Sequence, residues 1–302
     1  MSAGPSIVWQ SAYVESNRFF TGGQTDNFRT LPAGQQVSQD WNRYPLHPQP
    51  DVSLLPGRIG AQFPTFPSAS RSGNMLTLAF TPFSDNEPGH TGAGFFGGPG
   101  LAVTGRYVID QNGIRIASGN PVNGIAPVRL SAKPSVIRFA LTATRTGKSY
   151  PQSASSTTVW TWRSERLPKV TLPPSWFCGL TIVGNQLRLL HRCVVQQLLT
   201  LGYQVQGLGL NGSAPPGNQA ISLSVGHLQL AGPAPVTGAS AQVSYDDGRI
   251  WQGTTVTPSG GGNFQISFTA PRDVDVSLRV SATDAGGASI NETVLRAYGV
   301  GL

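Results

Sequence analysis

Hydrophobic and polar residues alternate with a period of two along most of the chain, and that period predicts strands. In "SGNMLTLAFTPF", Met75, Thr77 and Ala79 point one way while Leu76, Leu78 and Phe80 point the other. "GRYVIDQNGIRIAS" sets two apolar runs around "DQNG", a hairpin signal in which Asn112 and Gly113 suit positive φ. In "PVRLSAKPSVIRFALTATR", Ile137, Phe139 and Leu141 share a face; in "SSTTVWTWRSE", Val159 and Thr161 lie opposite Trp160 and Trp162. From Gly226 the pattern returns in "GASAQVSYDDGRIWQG", "NFQISFTA", "VDVSLRVSATDAGG" and "SINETVLRAYGV". "RFALTATRTG" and "LRVSATDAGG" are alike: each strand ends in Ala-Thr, turns through polar residues and is followed by a closing strand. The expectation is an all-β chain of two tandem antiparallel β-sandwiches of immunoglobulin or fibronectin type. Residues 1–166 form the first, with a proline-rich connection; 211–302 form the second; 167–210 are a linker or insertion.

Three stretches depart from this alternation. Near the start, "SIVWQSAYV" and "NRFF" read as strands, with "TGGQTDN" as a turn-rich stretch beside them. Arg43 to Pro67 holds six prolines, which cannot donate ladder hydrogen bonds, so it reads as a connection or an irregular edge. Within Ser175 to Gln206, Leu187, Leu190, Val194, Leu198 and Leu201 fall at helical spacing, with Arg188, Arg192 and Gln196 off the stripe. An amphipathic helix is expected there. Arg188, His191 and Arg192 argue against its crossing a membrane. Packing on its own protein is the plainer role; docking on a partner or a lipid surface is the other.

Composition narrows the class. Charged residues are 12% of the 302, against about 25% in ordinary soluble domains, and Gly (37) with Pro (24) supply about a fifth. That suits many short strands joined by tight turns. The net charge of +7 comes from scattered basic residues. They do not alternate with aromatics as a nucleic-acid platform would, so nucleic acid is not an expected partner. No stretch reads as a bilayer span, and "MSAGPSIVWQSAY" has neither the basic nor the apolar region of a signal peptide. An export signal, if the protein is exported, is expected upstream on a longer precursor.

The residues that carry chemistry are few. Cys178 and Cys193 close a loop short enough for a disulfide in an oxidising compartment; two free buried thiols fit equally well. Asp85, Glu87 and His90 crowd into one loop, where Asp85 and Glu87 are candidate calcium ligands and His90 a candidate acid or base. A polar turn between strands would use the same residues, and that reading weighs more. The four histidines, His47, His90, His191 and His227, lie in no recognisable catalytic motif. No cofactor is expected. Asn211 and Asn291 begin Asn-x-Ser/Thr triplets at a frequency close to chance. In "VSYDDGRIWQG", Ser244, Asp246, Gly248 and Trp251 resemble the Asp-box hairpin of sialidases, with Ile250 where that motif usually has Thr. A propeller would repeat the motif in every blade, and this chain has one copy. Asp246 is therefore expected to hold a turn, Asp247 to face solvent and Trp251 to sit in the core.

The order of "SRSGNMLTLAFTPFSDNEPGHTGAG", "YVIDQNGIRIAS", "FALTATRTGKSYPQSASSTTVWTWRS", "VSYDDGRIWQ" and "VSLRVSATDAGGASINETVLRAYGV" resembles the long C-terminal region of actinobacterial subtilisin-like serine peptidases. The resemblance covers roughly residues 40–170 and 205–302; 175–206 departs from it. It implies secretion, and a peptidase catalytic domain elsewhere in the precursor. The family's Asp-Ser/Thr-Gly, His-Gly-Thr and Gly-Thr-Ser-Met-Ala signatures have no counterpart here, so no catalytic residue carries over. The implied role is a non-catalytic accessory region that stabilises the enzyme or binds protein substrate or cell-wall polysaccharide. The alternatives are a carbohydrate-binding or sialidase-like module, in which Trp160, Trp162 or Trp251 would form an exposed aromatic row, and a structural or adhesion protein.

Overall fold

The computed structural model describes residues 8–9, 12–16, 20–26, 29–30, 36, 38, 40–41, 43–50, 67–87, 90–92, 96–98, 101–121, 125–146, 151–168, 170–173, 176–183, 186–190, 192–232 and 234–301. Among them there is no α-helix, and the strands are almost all antiparallel. Eleven strands build the frame and the site. They are β1 (His47–Pro50), β2 (Phe80–Ser84), β3 (Leu101–Gln111), β4 (Ser135–Thr146), β5 (Ser155–Ser164), β6 (Leu199–Val205), β7 (Gly217–His227), β8 (Val236–Ser244), β9 (Asn263–Ala270), β10 (Val274–Asp284) and β11 (Ser289–Val300).

The largest sheet runs β3-β4-β5-β11-β10-β8 through its middle. Its central seam joins the two halves of the chain: Ser155–Thr161 of β5 pair with Leu295–Ser289 of β11. The strands before residue 165 and those after 270 thus share one hydrogen-bonded sheet. A second sheet contains β6-β7-β9 and the strand Thr255–Gly260. A third is built around Met75–Leu78, Ala69–Ser72 and Arg192–Val195, and β1 pairs with β2 alone. Buried side chains from the first three sheets form a single apolar cluster.

The alternation of β4 and β5 decides what faces that cluster. Ile137, Phe139 and Leu141 are buried on β4, and Trp160 and Trp162 on β5. Phe139 lies opposite Trp160 across the strands, with ring centroids 5.1 Å apart. Each indole N–H then reaches outside its own sheet. Trp160 Nε1 donates to the carbonyl of Leu199 at 3.0 Å, and Trp162 Nε1 to Gln196 Oε1 at 3.1 Å. The exposed aromatic row is thereby overturned for both tryptophans, which are 2% and 1% exposed.

Two other stretches differ from the expected pattern. The described residues of 175–206 hold no helix; they include the strands Gly179–Val183, Gln186–Leu190, Arg192–Val195 and β6. In "LTLGYQV" the buried residues are Leu199, Leu201, Tyr203 and Val205, a period of two. The expected helical stripe shares only Leu201 with that set. The stretch expected as a turn near residue 21 is instead part of the strand Phe20–Asp26. Most of the proline-rich connection, 51–66, and His191 lie outside the described residues.

Cys178 and Cys193 are bonded, both buried. The bond sits at the base of the hairpin Gly179–Val183/Gln186–Leu190 and closes it onto Arg192–Val195. A loop of this length gains on the order of 3 kcal/mol from closure, because the bond restricts the unfolded chain. Replacing both cysteines with serine is expected to lower the unfolding free energy by about that amount in urea melts, and dithiothreitol should destabilise the parent protein but not the double variant.

Candidate functional site

The loop after β2 is shaped by its own side chains. Asp85 Oδ1 accepts the backbone N–H of Glu87 at 3.1 Å, and His90 N–H returns to the Glu87 carbonyl at 3.1 Å. The loop then enters the short strand His90–Gly92. Glycine is required at its end: a Cβ on Gly92 would lie 2.0 Å from the Phe83 carbonyl oxygen. His90 Nδ1 faces both Asp85 oxygens, at 2.9 and 3.0 Å, and Trp41 stacks on the imidazole at 4.0 Å. The ring is held from its edge and its face, while Nε2 is buried without a partner. Asp85 is thus engaged with His90 and a backbone amide, and the Glu87 carboxylate stands 4.0 Å from Arg43. Among the described residues, no group of three or more His, Cys, Asp or Glu side chains is placed to hold a metal ion.

Asn86 links this loop to a buried polar node. Its Oδ1 accepts the backbone N–H of Tyr203 at 2.7 Å and lies 3.0 Å from His47 Nε2; its Nδ2 donates to the Pro45 carbonyl at 2.7 Å. His47 Nδ1 lies 3.0 Å from Glu292 Oε1, close enough for an ion pair although off the line of a good hydrogen bond. Tyr203 Oη donates to the same oxygen at 2.9 Å, and Thr158 Oγ1 to Oε2 at 2.8 Å. Burial opposes charge on His47, but the Glu292 carboxylate and the Asn86 contact outweigh it, so its pKa is raised. Burial, together with the charge and hydrogen bond of Glu292, pushes the Tyr203 phenol well up. None of His47, Glu292 and Tyr203 was expected from the sequence to form a site. One signal was there for Glu292: it shares strand parity with buried Ile290 and Val294.

A second imidazole is held in the same manner. His227, at the end of β7, places Nε2 2.8 Å from Asp284 Oδ2; Asp284 Oδ1 takes the backbone N–H of Ala288 at 2.7 Å. His90 and His227 both line one cavity of about 380 Å³, together with Asn86, Glu87, Trp176 and Asn263. It lies where the 85–90 loop meets β6 and β7.

The Ser244 hairpin lies apart, at the end of β8. Ser244 Oγ is buried, donates to Asp246 Oδ1 at 2.6 Å and accepts the Gly248 N–H at 2.9 Å. Asp246 Oδ1 also accepts the N–H groups of Arg249 and Ile250, at 3.1 and 2.9 Å. These contacts, the Ser244 hydroxyl first, lower the Asp246 pKa. Both Asp247 (φ 58°) and Gly248 (φ 82°) are left-handed. Asp247 is exposed but engaged, its oxygens 2.7 and 2.8 Å from Nε and Nη2 of Arg296. Trp251 is half-buried rather than core: Nε1 donates to the Gly248 carbonyl, and the Arg279 guanidinium covers the ring at 4.0 Å.

Two outcomes test this geometry. Glu292→Gln leaves His47 buried without its counter-charge and should cost about 3 kcal/mol or more. With the folded pKa of His47 raised, its stabilisation is complete below its ordinary pKa of about 6.5 and is lost as the pH rises through the folded value. Urea melts at increasing pH should show that alkaline decline in the parent and not in Glu292→Gln. For Asp246 the sign is opposite: its lowered pKa contributes stability above the ordinary carboxylate range, lost as the pH falls through the folded value. Asp246→Asn should lower the melting temperature at neutral pH and flatten the acid limb of the stability profile.

The chain matches no protein-family model, no curated protein and no solved structure.

Proposed function

We propose that the chain is a non-catalytic accessory region of a secreted subtilisin-like serine peptidase, with Ig-like β-sandwich units that stabilise the enzyme or hold protein substrate or cell-surface material near it. The observation that carries this reading is the buried Cys178–Cys193 bond in an all-β chain, since structural disulfides belong to oxidising, extracytoplasmic compartments. The arrangement of the histidines supports a binding rather than a hydrolytic role. Serine-peptidase chemistry needs a serine hydroxyl within hydrogen-bond reach of an imidazole. His47 is engaged by Glu292, Asn86 and Gln49; His90 and His227 each face a carboxylate, as a catalytic imidazole does, but Nε2 of His90 meets no hydroxyl and Nε2 of His227 is taken by Asp284. The shared β5–β11 seam supports a stabilising role, because it makes the two halves one cooperative unit against which a catalytic domain could pack. The partner in this reading is a peptidase domain in the same precursor.

The coding DNA upstream of Met1 should carry, in the same frame, a domain with the three subtilisin signatures. The purified chain should neither hydrolyse casein nor react with a fluorophosphonate, and fusing it to that domain should lengthen the domain's half-life on heating. An upstream frame without a subtilisin domain, or casein hydrolysis by the chain alone, would overturn the proposal.

A further inference from the structure

The basic residues are scattered along the sequence, but the largest sheet gathers them on one face. On β4 and β5 the residues that alternate with the buried Ile137, Phe139, Leu141, Trp160 and Trp162 point away from the core. One row of that outer face crosses five strands in register: Arg106, Thr142, Thr157, Thr293 and Arg279. A second row sets Arg115 and Arg138 on either side of Asp110, with Arg163 diagonal to Arg138 on β5. The strand residues of this face include five arginines and one aspartate, so it carries +4 of the chain's net +7. Arg106 and Arg163 are exposed and meet no carboxylate among the described residues. Asp110 is shared between Arg115, at 3.7 Å, and Arg138, at 3.2 Å, which leaves that trio with an excess positive charge.

We propose that this outer face binds a linear acidic polysaccharide, its carboxylates on the arginines and its hydroxyls on the threonine row. Charge complementarity sets the sign of the ligand. Arg106 and Arg279 are four strand spacings apart, about 19 Å, so an extended polymer reaches both where a single small anion reaches one. A guanidinium meets a carboxylate through two parallel hydrogen bonds. Between the two arginines, Thr142, Thr157 and Thr293 each present a hydroxyl that donates and accepts, which suits the hydroxyls of a sugar chain. Nucleic acid is poorly served here. Phe139, Trp160 and Trp162 point into the core, and the Trp251 ring is already covered by Arg279, so these rings are not open to stacked bases. A protein partner is poorly served too: Val108, Ala140 and Val159 meet across the centre, and none is the large aromatic anchor that carries such interfaces. This binding rests on the accessory role proposed above but needs no peptidase domain, so its failure and the absence of such a domain are separate results.

Titration calorimetry at low salt would use the full chain against polygalacturonate, neutral pullulan, poly-L-glutamate and oligo(dT). Polygalacturonate should bind saturably and more weakly as salt is added; pullulan should not bind. Arg106→Gln combined with Arg163→Gln should weaken binding about tenfold, the worth of two exposed ion pairs. A control of the same net charge, Arg129→Gln combined with Arg272→Gln, removes exposed arginines outside these rows and should bind as the parent does. Thr157→Val keeps shape and charge; it should weaken binding of polygalacturonate and leave any binding of polyglutamate unchanged. The proposal is overturned if polygalacturonate does not bind, if pullulan, polyglutamate or oligo(dT) binds as tightly, if the arginine variant and its control bind alike, or if Thr157→Val binds polygalacturonate as the parent does.

Discussion

One buried carboxylate holds this structure in register. Glu292 lies on β11, yet its oxygens are met by Thr158 from the neighbouring strand of the same sheet, by Tyr203 from the β6 sheet and by His47 from the β1–β2 pair. An ionised carboxylate removed from water is tolerable only with such partners, and leaving it with fewer costs several kcal/mol. Strand register is therefore coupled to sheet packing. Thr158 is directly opposite Glu292 in the β5–β11 ladder, and a slip of one residue would turn the carboxylate to the other face of the sheet. The influence reaches the cavity through Asn86, which contacts both His47 and the Tyr203 backbone and sits in the loop that presents His90. The node and the candidate site are consecutive links of one polar chain.

That chain explains which parts of the molecule were legible in the sequence. Local devices were: the alternation of β4 and β5, the Asn112-Gly113 turn at φ 51° and 79°, and the Ser244 hairpin, all set by residues within a few positions of one another. Non-local pairing was not. Cys193 pairs with Val170, and Val194 with Arg71, over sequence distances that no local period encodes. The 175–206 stretch therefore offered two periods, and only its neighbours select between them. On β5 the alternate residues Val159 and Thr161 suit a strand as well as the tryptophans do. The apolar area of the indoles favours their burial, and the acceptors at Leu199 and Gln196 satisfy the N–H groups that burial would otherwise orphan.

The candidate site shows the same division. The proximity of Asp85 to His90 is visible in five residues of sequence, and the turn that joins them follows from Asp and Gly chemistry. The meeting of His90 with His227 depends on bringing the short strand His90–Gly92 against the sheet of β6 and β7. Asp284 could be read as a turn residue after "VSAT"; its grip on His227 across 57 positions could not. The residues that shape the cavity were thus individually visible but not visibly together.

The Ser244 hairpin completes the account of β11 from its other end. Arg296 lies four residues beyond Glu292 and adopts a left-handed φ of 52°, beside a register shift between Val276 and Leu278 in the facing strand. A non-glycine residue there costs on the order of 1–3 kcal/mol unless its surroundings hold it. Ser277, at the shift, accepts the Arg296 N–H at 3.0 Å, and the Arg296 carbonyl takes the Ser153 N–H at 2.5 Å. The guanidinium meets Asp247 in a two-pronged contact. Both partners of that pair are well exposed, at 43% and 46%, so its own contribution to stability is small. Its geometric role is larger. Asp246 shapes the turn through backbone amides, which leaves Asp247, in the left-handed position, free to project toward β11. The two adjacent aspartates thus act on different partners: one closes the hairpin, and the other orients it against the strand whose register Glu292 sets.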